Sequence, residues 1–202
     1  MPQPTNFAGY EWINPPTIPA RSYICGYCGK DVSSEKGYRI YNIHNSSGTA
    51  GGVFLCPTCK GATYFTPNFE SQIPGPRFGR NVDHVPEPLT RLFSEARDCA
   101  ANSDYTATVL ICRKMLMNIA VSQGATEGSS FLEYVNFLAE KGFVPPNGKH
   151  WVDHIRKKGN EANHEIKLMS QKDAFELLTF VEMLLRFIFE FPNMVPKEPT
   201  KG

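Results

Sequence analysis

The sequence predicts a mainly α protein in which a bundle of about five helices follows a small β unit. Three features carry that expectation. Two Cys-x2-Cys pairs, Cys25/Cys28 and Cys56/Cys59, enclose and precede short β-like runs. A stretch rich in proline and glycine, residues 74–87, interrupts the chain after them. From residue 88 to residue 191 the apolar positions recur with helical spacing.

Taken in order, residues 1–20 read as an extended Pro-rich arm and residues 21–73 as the β unit. Its strands are expected at Tyr38–Ile43, Gly52–Leu55 and Ala62–Phe65, where β-branched and aromatic residues gather. Residues 74–87 have the composition of a linker. The first helix is expected over Pro88–Ala101, with proline suited to a first turn. The second follows an Asp104 cap and covers YTATVLICRKMLMNIAV. The third spans about Ser130–Lys141 and stops at Gly142 and the Pro145-Pro146 pair. A fourth is expected over Lys149–His164, and a fifth from a Ser170 cap to Phe191. Short connections predict antiparallel neighbours. Residues 192–202 read as a flexible tail.

Composition narrows the function classes. The chain has 202 residues, 41% hydrophobic and 20% charged, which is the balance of a globular protein. Its formal net charge of +1 gives no global basic signature, so any RNA or DNA contact has to use a local patch. The first twenty residues lack the apolar run of a secretory signal, and the expected location is cytoplasmic. The most apolar stretch, Phe175–Phe191, is interrupted by Glu176, Glu182, Arg186 and Glu190, which argues against a membrane span.

In a reducing compartment, paired cysteines read as metal ligands rather than disulfides. Each pair sits on a tight turn that aims two thiolates at one ion, and two such turns complete a tetrahedron. Cys25, Cys28, Cys56 and Cys59 are therefore expected to hold one structural Zn2+ per chain. Four thiolates leave no open position for water, so the ion would brace the ribbon rather than catalyse. Lys30, Tyr38, Arg39, Lys60 and Tyr64 are candidates for a surface that meets nucleic acid or a partner protein. Cys99 and Cys112 fall in helical patterns and read as buried thiols.

The fourth helix carries a second candidate site. At about 100° per residue, Trp151, Ile155, Gly159 and Ala162 form a core face. Asp153, Arg156, Lys157, Asn160 and His164 gather opposite them. The plain reading is a solvated face. The sharper one is an acid–base site: His164 exchanges a proton near neutral pH, Arg156 and Lys157 hold a phosphate, and Asn160 orients it. Arg113, from the second helix, is a further phosphate-binding candidate if the two helices are neighbours, with a structural salt bridge as the alternative. The fifth helix is apolar around most of its circumference, leaving a polar strip of Thr179, Glu182, Arg186 and Glu190. The bundle core or a homodimer would cover it.

DYTATVLICRKMLM followed by R-x-x-G-N-x-x-x-H at Arg156–His164 resembles a bacterial domain-of-unknown-function family often joined to restriction-enzyme subunits and related to the HEPN superfamily. The resemblance spans about residues 85–191. It implies a HEPN-like helical bundle, a homodimer, and a setting in phage defence or restriction beside a partner protein of such a system. Many HEPN proteins are metal-independent ribonucleases that use an Arg, a short spacer and a His. Here seven residues separate Arg156 from His164, a longer spacer, and Lys157 and Lys158 stand at the motif's usual distances. Two functional readings follow. One is a zinc-binding, nucleic-acid-associated accessory or interaction protein. The other is an endoribonuclease acting at a dimer cleft.

Overall fold

The computed structural model describes residues 9–144, 153–155, 157 and 168–194. They form two compact units divided at Arg77/Phe78, with Ala101–Ser103 grouped with the first. The first is an antiparallel β unit and the second is helical, so the mainly α expectation holds at that level.

The first unit is a five-stranded meander in the order β1-β2-β3-β4-β5. The strands are β1 (Thr17–Ile24), β2 (Asp31–Asn42), β3 (Asn45–Leu55), β4 (Ala62–Phe65) and β5 (Gln72–Ile73). The expected runs fall on β2, β3 and β4, with Ile43 one residue past the end of β2, but the sheet is larger than they indicated. β1 begins at Thr17, inside the span read as an arm. Its apolar alternation is obscured by Pro19, Ala20 and Arg21. One face buries Tyr23, Val32, Phe54 and Phe65, and the rings of Tyr23, Phe54 and Phe65 meet edge to face at 5.3–6.4 Å. The Arg21 guanidinium lies over Phe65 and Phe69, 4.4 and 4.0 Å from their centroids, and closes this small core.

The helical unit contains α1 (Glu87–Ala101), α2 (Tyr105–Ser122), α3 (Phe131–Glu140) and α4 (Gln171–Leu185). A π turn, Arg186–Glu190, runs on from α4 into the one-turn α5 (Phe191–Met194). Ser130 with Glu133 and Ser170 with Asp173 close reciprocal capping boxes at α3 and α4. Asp104 stands at the N-cap of α2 as expected but makes no side-chain cap hydrogen bond. Leu177, Leu178, Val181, Leu184 and Leu185 on α4 share a core with Val109, Met115, Leu116 and Ile119 on α2. Much of the apolar surplus on the fifth expected helix is thus absorbed inside its own unit.

Residues 78–83, within the span read as a linker, are clasped by the helices. Phe78 stacks on Phe175 at 4.3 Å, and Val82 joins the core. Arg97, only 7% exposed, donates to the carbonyls of Phe78 and Gly79 and to Asn81 Oδ1 at 2.7–2.9 Å. The polar strip on α4 explains itself here. Arg186 bonds Glu182 and Glu190, and those carboxylates accept from the Arg80 and Asp83 amides.

Arg97→Ala removes three hydrogen bonds from a buried cation and leaves two carbonyls without that donor. It should lower the unfolding free energy by about 3 kcal/mol, read from urea denaturation. A loss of less than about 1 kcal/mol would show that the clasp contributes little.

Candidate metal centre

The two cysteine pairs occupy equivalent turns. One joins β1 to β2 and the other joins β3 to β4. In the first, the Gly29 amide donates to the Cys25 carbonyl and the Cys25 amide to the Lys30 carbonyl, at 2.8 and 2.9 Å. In the second, Lys60 donates to Cys56 and Cys56 to Gly61, both at 2.9 Å. The residue after each second cysteine turns left-handed: Gly29 has φ 70° and Lys60 φ 64°. Glycine meets that requirement without strain, whereas lysine adopts it at a cost. Gly26 has a different reason to be glycine. A Cβ there would stand 2.4 Å from the Pro74 carbonyl oxygen.

These turns bring all four Sγ atoms within 4.8 Å of one another. Cys25 lies 3.7 Å from Cys59, and Cys28 lies 3.8 Å from Cys56. No disulfide forms between them. Cys25 and Cys56 are fully buried, and their partners are half-buried. Backbone amides face the sulfurs: Cys28 and Tyr27 donate to Cys25, Thr58 and Cys59 to Cys56, and Gly61 to Cys59. Burial pushes the Cys25 and Cys59 thiols up. It acts the same way on Cys56, but there the amide donors together with hydrogen bonds from the Cys59 and Cys25 side chains outweigh it, and the thiol is shifted down. Four soft sulfurs converging in a pocket with amide donors around them form a donor set suited to a thiophilic metal ion.

An open groove of about 480 Å³ lies beside the second turn, between residues 11–15 and the sheet. The Trp12 indole forms one wall and donates to the Lys60 carbonyl at 2.8 Å. Nothing in the sequence marks Trp12 for this place, because its partner is 48 residues away.

The other candidate residues belong to the helical unit. Arg156, Asn160 and His164 lie outside the described residues. Asp153 and Lys157 are helical and exposed, and Ile155 is fully buried, which matches the expected core face at that position. Arg113 is half-buried with its guanidinium 4.1 Å from the Phe131 centroid. His154, which the helical wheel did not single out, meets Glu176 at 2.5 Å. Cys112 is fully buried and Cys99 half-buried, and burial pushes both thiols up. Among the described residues, no helix is long and apolar enough to cross a membrane.

A β unit with a four-cysteine cluster followed by a helical unit defines a two-part protein with one candidate metal centre among the described residues. Residues 94–201, more than half of the chain, match the family described as "Domain of unknown function (DUF4145)", and the chain belongs to that family. No curated protein and no solved structure matches it.

Because a thiolate must lose its proton to bind, metal retention should fall as pH is lowered. Colorimetric metal release during acid titration reads this directly. Cys56→Ser should lose metal at a higher pH than the parent chain. Identical release curves would remove the cluster from metal binding.

Proposed function

We propose that this protein is a zinc-binding, nucleic-acid-associated accessory or interaction protein. The observation that carries the metal part is the sulfur geometry. A zinc ion with four Zn–S bonds of about 2.3 Å has tetrahedral S···S edges of about 3.8 Å. Two of the sulfur pairs lie at 3.7 and 3.8 Å, and all four sulfurs lie within 4.8 Å of one another. One ion per chain would saturate its coordination with Cys25, Cys28, Cys56 and Cys59, which favours bracing over catalysis.

The nucleic-acid part rests on local charge. From Lys36 to Phe69 the chain contains Lys36, Arg39, Lys60 and His44 and not one Asp or Glu. That stretch supplies most of β2 and all of β3 and β4. A chain of +1 overall thus concentrates a cationic surface on one sheet. The resemblance of Arg156–His164 to the HEPN-related family adds a setting in phage defence or restriction and an association as homodimer. Phe187, Phe191 and Met194, 47%, 41% and 67% exposed, are apolar side chains that such a dimer would cover.

Metal analysis of freshly purified, unchelated protein should find about one zinc per chain; another metal or none would sink the assignment. Filter binding at low salt should detect RNA or DNA retained by the protein and released as salt is raised. No retention of either would remove the nucleic-acid reading. Light scattering should report a dimer that Phe187→Glu with Phe191→Glu converts to a monomer. A parent chain that is monomeric across a broad concentration range would exclude the dimer.

A further inference from the structure

The register of the sheet aligns side chains that are far apart in sequence. Tyr38 pairs with Val53, Val53 with Tyr64, and Tyr64 with Ile73. Directly opposed residues in antiparallel strands project from the same face. These four therefore form one continuous row across β2, β3, β4 and β5. The core residues Phe54 and Phe65 alternate with them and point the other way. The row is open: Tyr38 is 50%, Tyr64 37% and Ile73 41% exposed, and Val53 is half-buried.

A row of two tyrosines with a valine between them is costly to leave in water, and on this sheet it is not needed for the core. Its two rings stand two strand spacings apart, roughly 10 Å. The smaller Val53 between them leaves a shallow floor. Its charge surroundings select the occupant. Arg39, although next to Tyr38, opposes Gly52 and projects from the other face, over Tyr41. The cation on the row's own face is Lys36, two residues before Tyr38, and the strands carrying the tyrosines and the valine have no carboxylate between Lys36 and Phe69. The groove on the Leu55 side contributes Lys36 and Lys60 together with Glu11 and Glu35. A four-thiolate zinc centre would bring a formal charge of about −2, and Lys30 and Lys60, next to its two turns, offset it. An apolar protein surface would gain nothing from these cations. A nucleic-acid backbone would, and its unpaired bases have flat faces that stack on tyrosine whatever their sequence.

Building on the nucleic-acid reading above, we propose that the Tyr38–Val53–Tyr64–Ile73 row is a stacking platform for the bases of a single-stranded nucleic acid. Duplex is a poor ligand for it, because paired bases keep their faces inside the helix. The chemistry is shared by RNA and DNA.

The test uses the full chain as purified with its metal. Fluorescein-labelled oligo(U) and oligo(dT) of about 12 nucleotides, and a duplex of the same length, are titrated at low salt and followed by anisotropy. Both single strands, or one of them, should bind more tightly than duplex, and the tighter arm identifies the sugar. Tyr38→Ala and Tyr64→Ala should each weaken that binding at least about fivefold. Tyr38→Phe and Tyr64→Phe should retain it, since the ring is kept. Both tyrosines are exposed, so unchanged metal content and circular dichroism verify the fold of each variant. Single-strand binding unaffected by the alanine variants, or duplex bound more tightly, overturns the platform and leaves the nucleic-acid reading standing. Binding of no nucleic acid at all overturns both.

Discussion

Convergence of four sulfurs on one point is the constraint on which the β unit depends. Among the described residues its core comprises Ile18, Tyr23, Cys25, Val32, Phe54, Cys56 and Phe65, so two of the seven are themselves candidate ligands. So small an apolar core cannot offset much chain entropy, and small domains of this kind lean on metals or disulfides. The two turns tie the β1–β2 connection to the β3–β4 connection, and a bound ion would fix strands that are not neighbours in the sheet. Amide donors around the sulfurs point the same way. They favour thiolate over thiol, the form a metal requires.

The helical unit meets its demands differently. Its core is ample, centred on α2 and α4, and needs no such tie. Its polar groups are instead spent on holding a segment with no regular structure. Arg97 takes three acceptors from residues 78–81, while Glu182 and Glu190, oriented by Arg186, take the amides of Arg80 and Asp83. Backbone groups that no helix or strand satisfies must find partners elsewhere. Here the buried Arg97 and the part-buried Glu182 and Glu190 provide them, and Arg186 offsets one of the two acidic charges.

The two units therefore suggest a division of labour. If a metal ion is held by all four thiolates it has no open position for substrate, and the recognition proposed above then falls to the outer face of the sheet. There a stretch without a carboxylate between Lys36 and Phe69 displays Tyr38 and Tyr64. The helical unit carries the family match and the exposed Phe187 and Phe191. His154 and Glu176 form a half-exposed pair on its surface.

Where the determining interaction is local, the sequence was enough. The Cys-x2-Cys spacing defined both turns because each closes within a few residues. The Ser170 cap was legible for the same reason, and its reciprocal partner Asp173, like Glu133 in the Ser130 box, lies only three residues away. Helical spacing located α1 to α4 closely. Asp104 shows the limit even at short range: its residue type suits a cap, but its side chain makes no cap bond. Only the tertiary structure decided the rest. The extent of β1, the Arg97 clasp on residues 78–81, Trp12 against Lys60, and His154 beside Glu176 all join residues from 7 to 48 positions apart. The tyrosine row depends on strand register, which shifts at β-bulges between Ile40 and Asn42. A slip of one residue would turn Tyr38 to the opposite face. Sequence spacing carries no trace of that register, because it is set by pairing between strands and by the packing of Phe54 and Phe65 beneath them.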